Sequence, residues 1–205
     1  MRVNRRTQEE RSTSTRAALL AAARPLFAAQ GFGAVGTEAI VRAAGVTRGA
    51  LYHQFADKSE LFAAVYQQVQ DELVQQIGGL VMGTTDPVEA LAVGVDAWLE
   101  AATAPDVQRI VLIDAPAVLG WQGWRDSGQA SATGLVEAAL GAAMAAGRIV
   151  EQPLRPLTHV LIGALDEAAL YVARADDADV AREEMRTVLR TLLTSLEPRE
   201  GEARR

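Results

Sequence analysis

One stretch constrains the fold of this chain more than any other, the residues from Ile40 to Leu61. Apolar residues recur there at helical spacing on both sides of Gly45, which interrupts the pattern. A first short helix must end at Gly45 in the left-handed conformation, which glycine adopts at the lowest cost. Thr47 is in position to cap a second short helix. Because helices this short are unstable alone, they must pack on each other and on flanking helices, which predicts a helix-turn-helix.

These residues resemble the DNA-binding segment of the TetR family of bacterial repressors. The similarity is carried by Ala44-Gly45-Val46-Thr47-Arg48-Gly49-Ala50-Leu51-Tyr52-His53-Gln54-Phe55, followed by Lys58, Glu60, Leu61 and Phe62. With the preceding helix it covers residues 11–65. The resemblance implies an all-α fold of about nine helices. It also implies a helix-turn-helix DNA-binding domain over residues 1–56 and a helical ligand-binding and dimerisation domain over residues 57–205.

The composition is typical of a globular protein with a packed core. The 205 residues are 49% hydrophobic, yet no apolar run approaches the roughly 20 residues that span a bilayer. The first six residues lack the apolar centre of a signal peptide. Cysteine is absent, which excludes disulfides, thiolate zinc sites and cysteine nucleophiles. We therefore expect a soluble, cytoplasmic protein with no membrane contact.

Charge is distributed unevenly along the chain. The formal net charge is −6, which by itself argues against a nucleic-acid partner. Residues 1–60, however, hold nine basic and five acidic side chains, whereas residues 61–205 hold eleven and twenty-one. A basic N-terminal segment of net charge +4 thus precedes an acidic remainder of −10. Residues 1–11 have no apolar period, so we expect either an arm that touches phosphates or the minor groove, or a solvated tail.

Apolar spacing predicts helices along most of the chain. Residues 107–115 taken alone fit a buried strand as well as a helix, and their helical neighbours favour a helix. Pro116 and Gly120 are expected to close that helix, and residues 151–156 are expected to form a linker. Outside the helix-turn-helix, the predicted helices are 12–30, 58–81, 87–102, 107–115, 121–146, 157–174 and 178–196.

An enzyme is the competing class of function. The segment from Gly31 to Gly36 fits G-x-G-x-x-G, and Asp57 follows at the spacing of a ribose-binding carboxylate. A dinucleotide loop follows a β-strand, however, and the preceding segment has a helical period. The two histidines lack metal-ligand spacing, and neither a G-x-S-x-G elbow nor a P-loop occurs. We therefore predict no catalytic residue, no metal and no cofactor, with the dinucleotide site as a distant alternative.

The helix-turn-helix supplies the candidate DNA contacts. A recognition helix needs small residues where its backbone nears the major groove, and donors just beyond them. Arg48 is the candidate for guanine readout, with a phosphate contact as the alternative. The resemblance implies that the two aromatic residues after it reach phosphates, and Tyr52 has packing as its alternative role. The predicted DNA-binding residues are Thr37, Thr47, Arg48, Gly49, Ala50, Tyr52, His53 and Lys58.

Two assignments within that set have their own reasons. Lys58, the only lysine, stands at a helix N-terminus, where a nearby phosphate would compensate for the unfavourable macrodipole. Thr37 follows Gly36, where the family often has Ser or Thr, so Thr37 is expected either to cap the first motif helix or to contact a phosphate.

The remaining helices are expected to bind a small molecule and a second copy of the chain. Tryptophans after a Pro/Gly break, and polar groups inside an apolar run, are candidates for a pocket, with core packing as the alternative. The candidate ligand residues are Trp98, Arg109, Asp114, Trp121 and Trp124. In the family, the last two helices form a four-helix bundle with their copy; the alternative is an ordinary core hairpin. The predicted interface residues are Leu157, Leu161, Leu165, Ala168, Leu189 and Leu192.

The leading hypothesis is a homodimeric transcriptional repressor that an unidentified small molecule releases from a palindromic operator. The alternative is a helical DNA-binding regulator that responds to a protein partner or to no ligand. A cavity near the tryptophans would favour the first, and a filled core the second. Activation also stays open, because the sign of regulation depends on where the operator lies relative to a promoter.

Overall fold

The computed structural model describes residues 8–198, and within them it leaves the side chains at 121 and 125–131 undescribed. The described residues contain eight α-helices, one π-helical segment and no strand, which confirms the all-α prediction. The helices are α1 Gln8–Gln30, α2 Thr37–Ala44, α3 Arg48–Gln54, α4 Lys58–Val81, α5 Pro87–Ala101, α6 Ala115–Ala145, α7 Leu154–Arg174 and α8 Ala178–Thr194, with the π segment Val107–Asp114 between α5 and α6. We call α1 to α3 the headpiece and the remaining helices the body.

Helix α1 begins earlier than the sequence predicts. It starts at Gln8, with Glu9 and Glu10 in its first turn, where acidic side chains stabilise the helix dipole. The expected arm was therefore drawn too long, and residues 1–7, which carry most of its arginines, lie outside the described residues. The predicted end of this helix at residue 30 is confirmed, and Gly31 directly after it has φ +78°.

One apolar cluster joins the headpiece to the start of α4. It contains Phe27 from α1, Ile40 from α2, Leu51 from α3 and Phe62 from α4, all fully buried. The Phe27 and Phe62 rings meet edge to face, with centroids 5.2 Å apart. The domain boundary after residue 56 stays a prediction, because this cluster continues across it.

The middle of the chain departs from the predicted pattern in detail. The apolar run at 107–115 is helical, as predicted, but it forms the π segment. Pro116 does not close it: the residue lies in the first turn of α6, where a missing N–H is tolerated. Gly120 does interrupt the helix, with φ 73° and ψ 159°. Helix α7 starts at Leu154, so the expected linker is shorter, and Pro156 occupies its first turn.

The terminal helices build a second core within the monomer, and this core takes up most of the residues predicted for the dimer interface, which stays a prediction. Four of the predicted interface residues are buried in that core and present almost no surface: Leu161, Leu165, Ala168 and Leu189. Leu157 packs on the same cluster, and only Leu192 is half exposed. Most apolar residues of each helix face the neighbouring helices of the same chain, and the large apolar residues that are exposed on these two helices are Val160, Tyr171, Val180, Val188 and Leu192.

None of the described helices carries the apolar stretch that a bilayer-spanning segment requires.

Candidate nucleic-acid interface and interior cavity

The turn between α2 and α3 has the geometry that the sequence predicts. Gly45 adopts φ 65° and ψ 29°, and the backbone N–H of Val46 donates to the carbonyl of Val41 at 3.1 Å. These are features of a glycine-terminated helix, which the left-handed residue makes possible. Thr47 then caps α3, because its hydroxyl accepts from the N–H of Ala50 at 3.2 Å.

Contacts from α1 hold the C-terminal end of α3. The guanidinium of Arg16 donates to the carbonyl of Gln54 at 3.3 Å and lies 4.3 Å from the ring centroid of Phe55. The side-chain amide of Gln54 donates to the hydroxyl of Ser12 at 2.8 Å. Leu51 faces inward and is fully buried, so α3 has a fixed rotation about its axis and one face in solvent.

The exposed face of α3 gathers a polar cluster with the start of α2. Arg48 Nη1 lies 3.3 Å from Glu38 Oε1, and both side chains are about two-thirds exposed, at 64% and 66%. The Arg48 guanidinium also lies 5.5 Å from the ring centroid of Tyr52. Hydrogen bonds from Arg48 and then Thr37 lower the pKa of the Tyr52 phenol. Arg48 therefore projects from the N-terminal end of α3 in a defined direction, as a readout residue requires.

The other predicted contact residues of α3 differ in their exposure. Gly49 and His53 are exposed and Ala50 is half buried. A Cβ at Gly49 would meet only the Thr47 hydroxyl, in ordinary contact at 3.9 Å, so the protein's own packing does not require glycine there. The predicted close approach of a groove is the one reason the sequence offers for a small residue at Gly49, and the DNA contacts of these residues stay predictions.

The sequence left open which residue caps α2, and the structure answers this. Gly36 is the N-cap residue, and no side chain caps the helix. Thr37 is the first helical residue rather than the N-cap, so its predicted capping role was wrong. Its predicted phosphate contact remains a prediction.

Lys58 has partners within the protein. Its Nζ donates to the carbonyls of Phe32 at 2.8 Å and of Val35 at 2.9 Å, and it lies 4.1 Å from the Phe32 ring centroid. The ammonium thus bridges the α1–α2 turn to the first turn of α4. The lysine at this helix N-terminus is explained without a phosphate, although its predicted contact with DNA remains untested.

An interior cavity lies in the body between α4, α5, α6 and α7, with a volume of about 1070 Å³ including the space at its mouth. Its wall on α4 runs from Tyr66 to Val81, about 22 Å at 1.5 Å per residue. Most of the lining is aliphatic. Trp98 and Trp124 line it as predicted, whereas the side chain of Trp121 lies outside the described residues.

The polar atoms of the lining are largely engaged with one another or with backbone. The indole N–H of Trp98 donates to the carbonyl of Leu165 at 3.0 Å, and that of Trp124 to the carbonyl of Val111 at 3.2 Å. Gln70 donates to the Tyr66 hydroxyl at 2.9 Å. The tryptophans therefore present their rings, rather than their N–H groups, to an occupant.

Arg109 and Asp114, the two polar candidates for ligand binding, lie away from this cavity. Neither lines the cavity. The Asp114 carboxylate accepts from the backbone N–H of Phe32 at 2.6 Å and from Arg109 Nε at 3.3 Å. The Arg109 guanidinium covers Gly31 so closely that a Cβ there would lie 2.0 Å from its Nη2. Both side chains clamp the π segment to the end of α1.

A second polar contact joins the same regions. Arg24 of α1 donates to Asp106 at 2.6 Å and to Glu72 of α4 at 2.6 Å. Partial burial lowers the pKa of Arg24, but the hydrogen bonds to these carboxylates outweigh it and raise the pKa above its usual value. The headpiece is thereby tied to both ends of the π segment.

Sequence reasoning missed three residues of these sites. Gln70 and Asp166 line the cavity, and Glu38 joins Arg48 on the exposed face. Gln70 and Asp166 follow helical spacing from Tyr66 and Ile162, a signal that becomes readable only once the cavity-facing side of each helix is known.

A helix-turn-helix headpiece on a helical body with an internal cavity defines a class of DNA-binding regulators. The N-terminal family model, described as bacterial regulatory proteins of the tetR family, matches residues 19–65, and a tetracyclin repressor-like C-terminal domain matches residues 88–196. A solved TetR-family transcriptional regulator from Pectobacterium atrosepticum is 33% identical, with a TM-score of 0.83 over 94% of this chain and 98% of that one. This chain belongs to the TetR family of transcriptional regulators, which confirms the sequence prediction, and the family is a class of DNA-binding proteins rather than of enzymes.

Two further proteins resemble this chain over part of its length or at low sequence identity. The transcriptional activator FasR of Mycolicibacterium smegmatis is 36% identical over 99 residues, a match that spans 48% of this chain but only 43% of that protein. The regulator FadR of Bacillus subtilis, solved with stearoyl-CoA, is 16% identical with a TM-score of 0.72, over 87% of this chain and 97% of that chain. At that identity the likeness concerns the fold alone.

Proposed function

We propose that this chain is a dimeric repressor that leaves its operator when an uncharged lipophilic molecule fills the body cavity. One observation carries the proposal: the π segment forms part of the cavity wall and also holds the headpiece. Val111 and Leu112 line the cavity, while Arg109 and Asp114 of the same segment contact Gly31 and Phe32.

The coupling follows from this shared segment. A ligand that displaces Val111 or Leu112 also displaces the clamp on the headpiece, because all four side chains leave one short run of backbone. Two headpieces of a dimer bind half-sites one helical turn of DNA apart or a multiple of it, so a changed headpiece position weakens operator binding. The ligand shifts this equilibrium only by its difference in affinity for the two states.

The cavity lining supports an uncharged lipophilic ligand. Among the described lining residues, Asp166 is the only one with a charged side chain, and none is basic. An anionic head group would lose its hydration without gaining a cation from these residues. Aliphatic side chains and two indole rings instead offer contact with a long apolar body.

The dimer we propose uses the outward face of α7 and α8. Val160 is 70% exposed and Val188 is 52% exposed, on helices whose other faces are buried. Substituting Val188→Glu places a charge on that face and should shift the protein toward monomer in sedimentation velocity. Thr187→Glu, at the exposed position just before it on α8, is the reference variant. If both variants self-associate as strongly as the unsubstituted protein does, this interface is wrong.

The first test of function measures DNA binding with and without a probe ligand. The protein is used to select sequences from random duplexes, and the selected site is compared with random DNA over a salt series. N-phenyl-1-naphthylamine, a neutral lipophile, serves as the probe and should lower affinity for the selected site. No preferred sequence would refute the regulator; a preferred site whose affinity the probe leaves unchanged, although the probe binds, would refute ligand release.

A cavity-filling variant separates the cavity from the rest of the surface. Gly94 lines the cavity on α5, so Gly94→Leu should prevent probe binding while operator affinity persists. Gly79→Leu makes the same change at an exposed position of α4 that does not line the cavity, and should leave probe binding intact. Equal probe affinity in the two variants would mean that the probe binds elsewhere.

The sign of regulation follows from the operator's position rather than from the protein. The name of the M. smegmatis relative describes an activator, so activation is the second candidate. A reporter with the selected site overlapping the promoter, compared with one carrying it upstream, separates the two outcomes.

A further inference from the structure

Glu38 is an unusual residue for a surface that meets DNA. It lies in the first turn of α2, is 66% exposed, and shares the face on which Arg48 and Tyr52 project from α3. Phosphates repel a carboxylate, so a residue used only for general affinity at this position would be basic or neutral. A carboxylate on such a face needs either a cation or a hydrogen-bond donor on the DNA.

The contact with Arg48 gives Glu38 a defined position. Arg48 Nη1 lies 3.3 Å from Glu38 Oε1, and the same guanidinium packs near the Tyr52 ring. An exposed ion pair of this kind contributes little to stability. The ion pair instead orients the two side chains, so that a donor from α3 and an acceptor from α2 lie side by side at the surface.

This donor–acceptor pair matches one edge of a G·C base pair. In the major groove guanine offers the O6 and N7 acceptors, and cytosine offers its N4 amino donor. Guanine O6 and cytosine N4 are hydrogen-bonded to each other within the pair at about 2.9 Å. This distance is close to the 3.3 Å between Arg48 Nη1 and Glu38 Oε1. An A·T pair in the same orientation places the thymine O4 acceptor opposite the carboxylate, and the reversed C·G pair places guanine O6 there.

We propose that Glu38 is a specificity residue that accepts a hydrogen bond from the cytosine N4 amino group of the base pair whose guanine binds Arg48. This inference rests on the proposed operator binding and adds the base pair that the two helices read together. Glu38 selects by exclusion as well as by contact, because its carboxylate repels any base that presents an acceptor at that place.

The test begins by locating the base pair. Every position of the selected operator is substituted in turn, and the position at which Arg48→Ala loses discrimination is the one that Arg48 reads. At that position cytosine is replaced by pyrimidin-2-one, which lacks the 4-amino group. We expect this deletion to weaken binding of the unsubstituted protein about tenfold more than that of Glu38→Ala. Arg48 is present in both proteins, so any change in its guanine contact cancels.

Glu38→Gln supplies a second readout with nearly the same shape. An amide donates as well as accepts, so the variant should tolerate the reversed C·G pair about tenfold better, relative to G·C, than the unsubstituted protein does. The affinity for random DNA should also rise, because the variant lacks the negative charge that the DNA phosphates repel. Glu89→Gln makes the same change in the first turn of α5, in the body, and should alter neither property.

The outcomes separate this inference from the proposed function. If the unsubstituted protein selects no sequence, operator binding itself fails. If it selects a site but loses equal affinity to the pyrimidin-2-one substitution with and without Glu38, operator binding stands and the cytosine contact is refuted. The contact is also refuted if Glu38→Ala changes only the guanine preference, because the carboxylate then positions Arg48 without touching a base.

Discussion

Lys58→Met removes the ammonium that bridges the α1–α2 turn to α4. In the structure that group donates to the carbonyls of Phe32 and Val35 at 2.8 and 2.9 Å. Hydrogen bonds from a charged donor contribute about 1.5–3 kcal/mol each. Only part of this is lost, because Lys58 is half buried, water reaches the freed carbonyls, and methionine keeps the stem against the Phe32 ring. We expect the free energy of unfolding to fall by about 2–3 kcal/mol.

Urea unfolding measures this loss. With a slope of about 2 kcal/mol per molar, the midpoint should fall by about 1–1.5 M. Arg42→Met removes another basic side chain from the headpiece, an exposed one in the last turn of α2. Its midpoint should stay within about 0.25 M of the unsubstituted protein, since an exposed substitution changes stability by about 0.5 kcal/mol or less.

DNA binding distinguishes this internal bridge from a phosphate contact. Losing one phosphate contact lowers the slope of log affinity against log salt by about 0.9. If the bridge is the only role of Lys58, the folded variant keeps the slope of the unsubstituted protein. An unchanged urea midpoint together with a reduced slope would refute the reasoning from the two carbonyls and restore the phosphate contact that the sequence predicts.

Three further predictions concern other parts of the fold. Gly31→Ala should lower the free energy of unfolding by at least about 1–2 kcal/mol, because φ is +78° and the new Cβ clashes with Arg109. Arg109→Ala removes that clash, so in thermal melts the double variant should lose less stability than the sum of the two single variants. Thr47→Ala should cost about 1 kcal/mol through the lost α3 cap, and equal melting of variant and unsubstituted protein would contradict it. Hydrogen bonds from Arg148 and Val88 lower the pKa of Asp86, so its stabilisation is complete above the unfolded pKa and disappears as the pH falls through the folded one; the gap in melting temperature between Asp86→Asn and the unsubstituted protein should close in acid.

The features that the sequence predicted best depend on few neighbours. Gly45 in the left-handed region and the Thr47 cap of α3 are both found where expected. Each follows from the chemistry of one residue and the backbone within one turn of it, which any tertiary structure must accommodate. The same locality explains why the sequence also predicts the end of α1 at residue 30 correctly.

The buried faces of the terminal helices are harder to assign, because apolar periodicity does not show whether a face packs on its own chain or on a second copy. On α8, Leu189 was assigned to a second copy, yet it is 2% exposed within the monomer, and Val188 beside it is 52% exposed. Both residues are aliphatic, so composition does not separate them. Burial of apolar surface stabilises a helix equally against its own chain and against a copy, and only the complete packing shows which neighbour is present.

Arg109 and Asp114 illustrate the same limit for polar residues. Two ionisable side chains within an apolar run were interpreted as ligand groups, because buried charges often mark binding sites. The Asp114 carboxylate instead accepts from a backbone N–H 82 positions earlier in the chain and from Arg109, whose guanidinium packs over a left-handed glycine 78 positions before it. No pattern local to residues 107–115 contains those partners. The apolar run with its two charged residues therefore predicts a polar contact but not the partner. The partner depends on how α1 crosses the π segment, and at this crossing the headpiece meets the helices that surround the cavity.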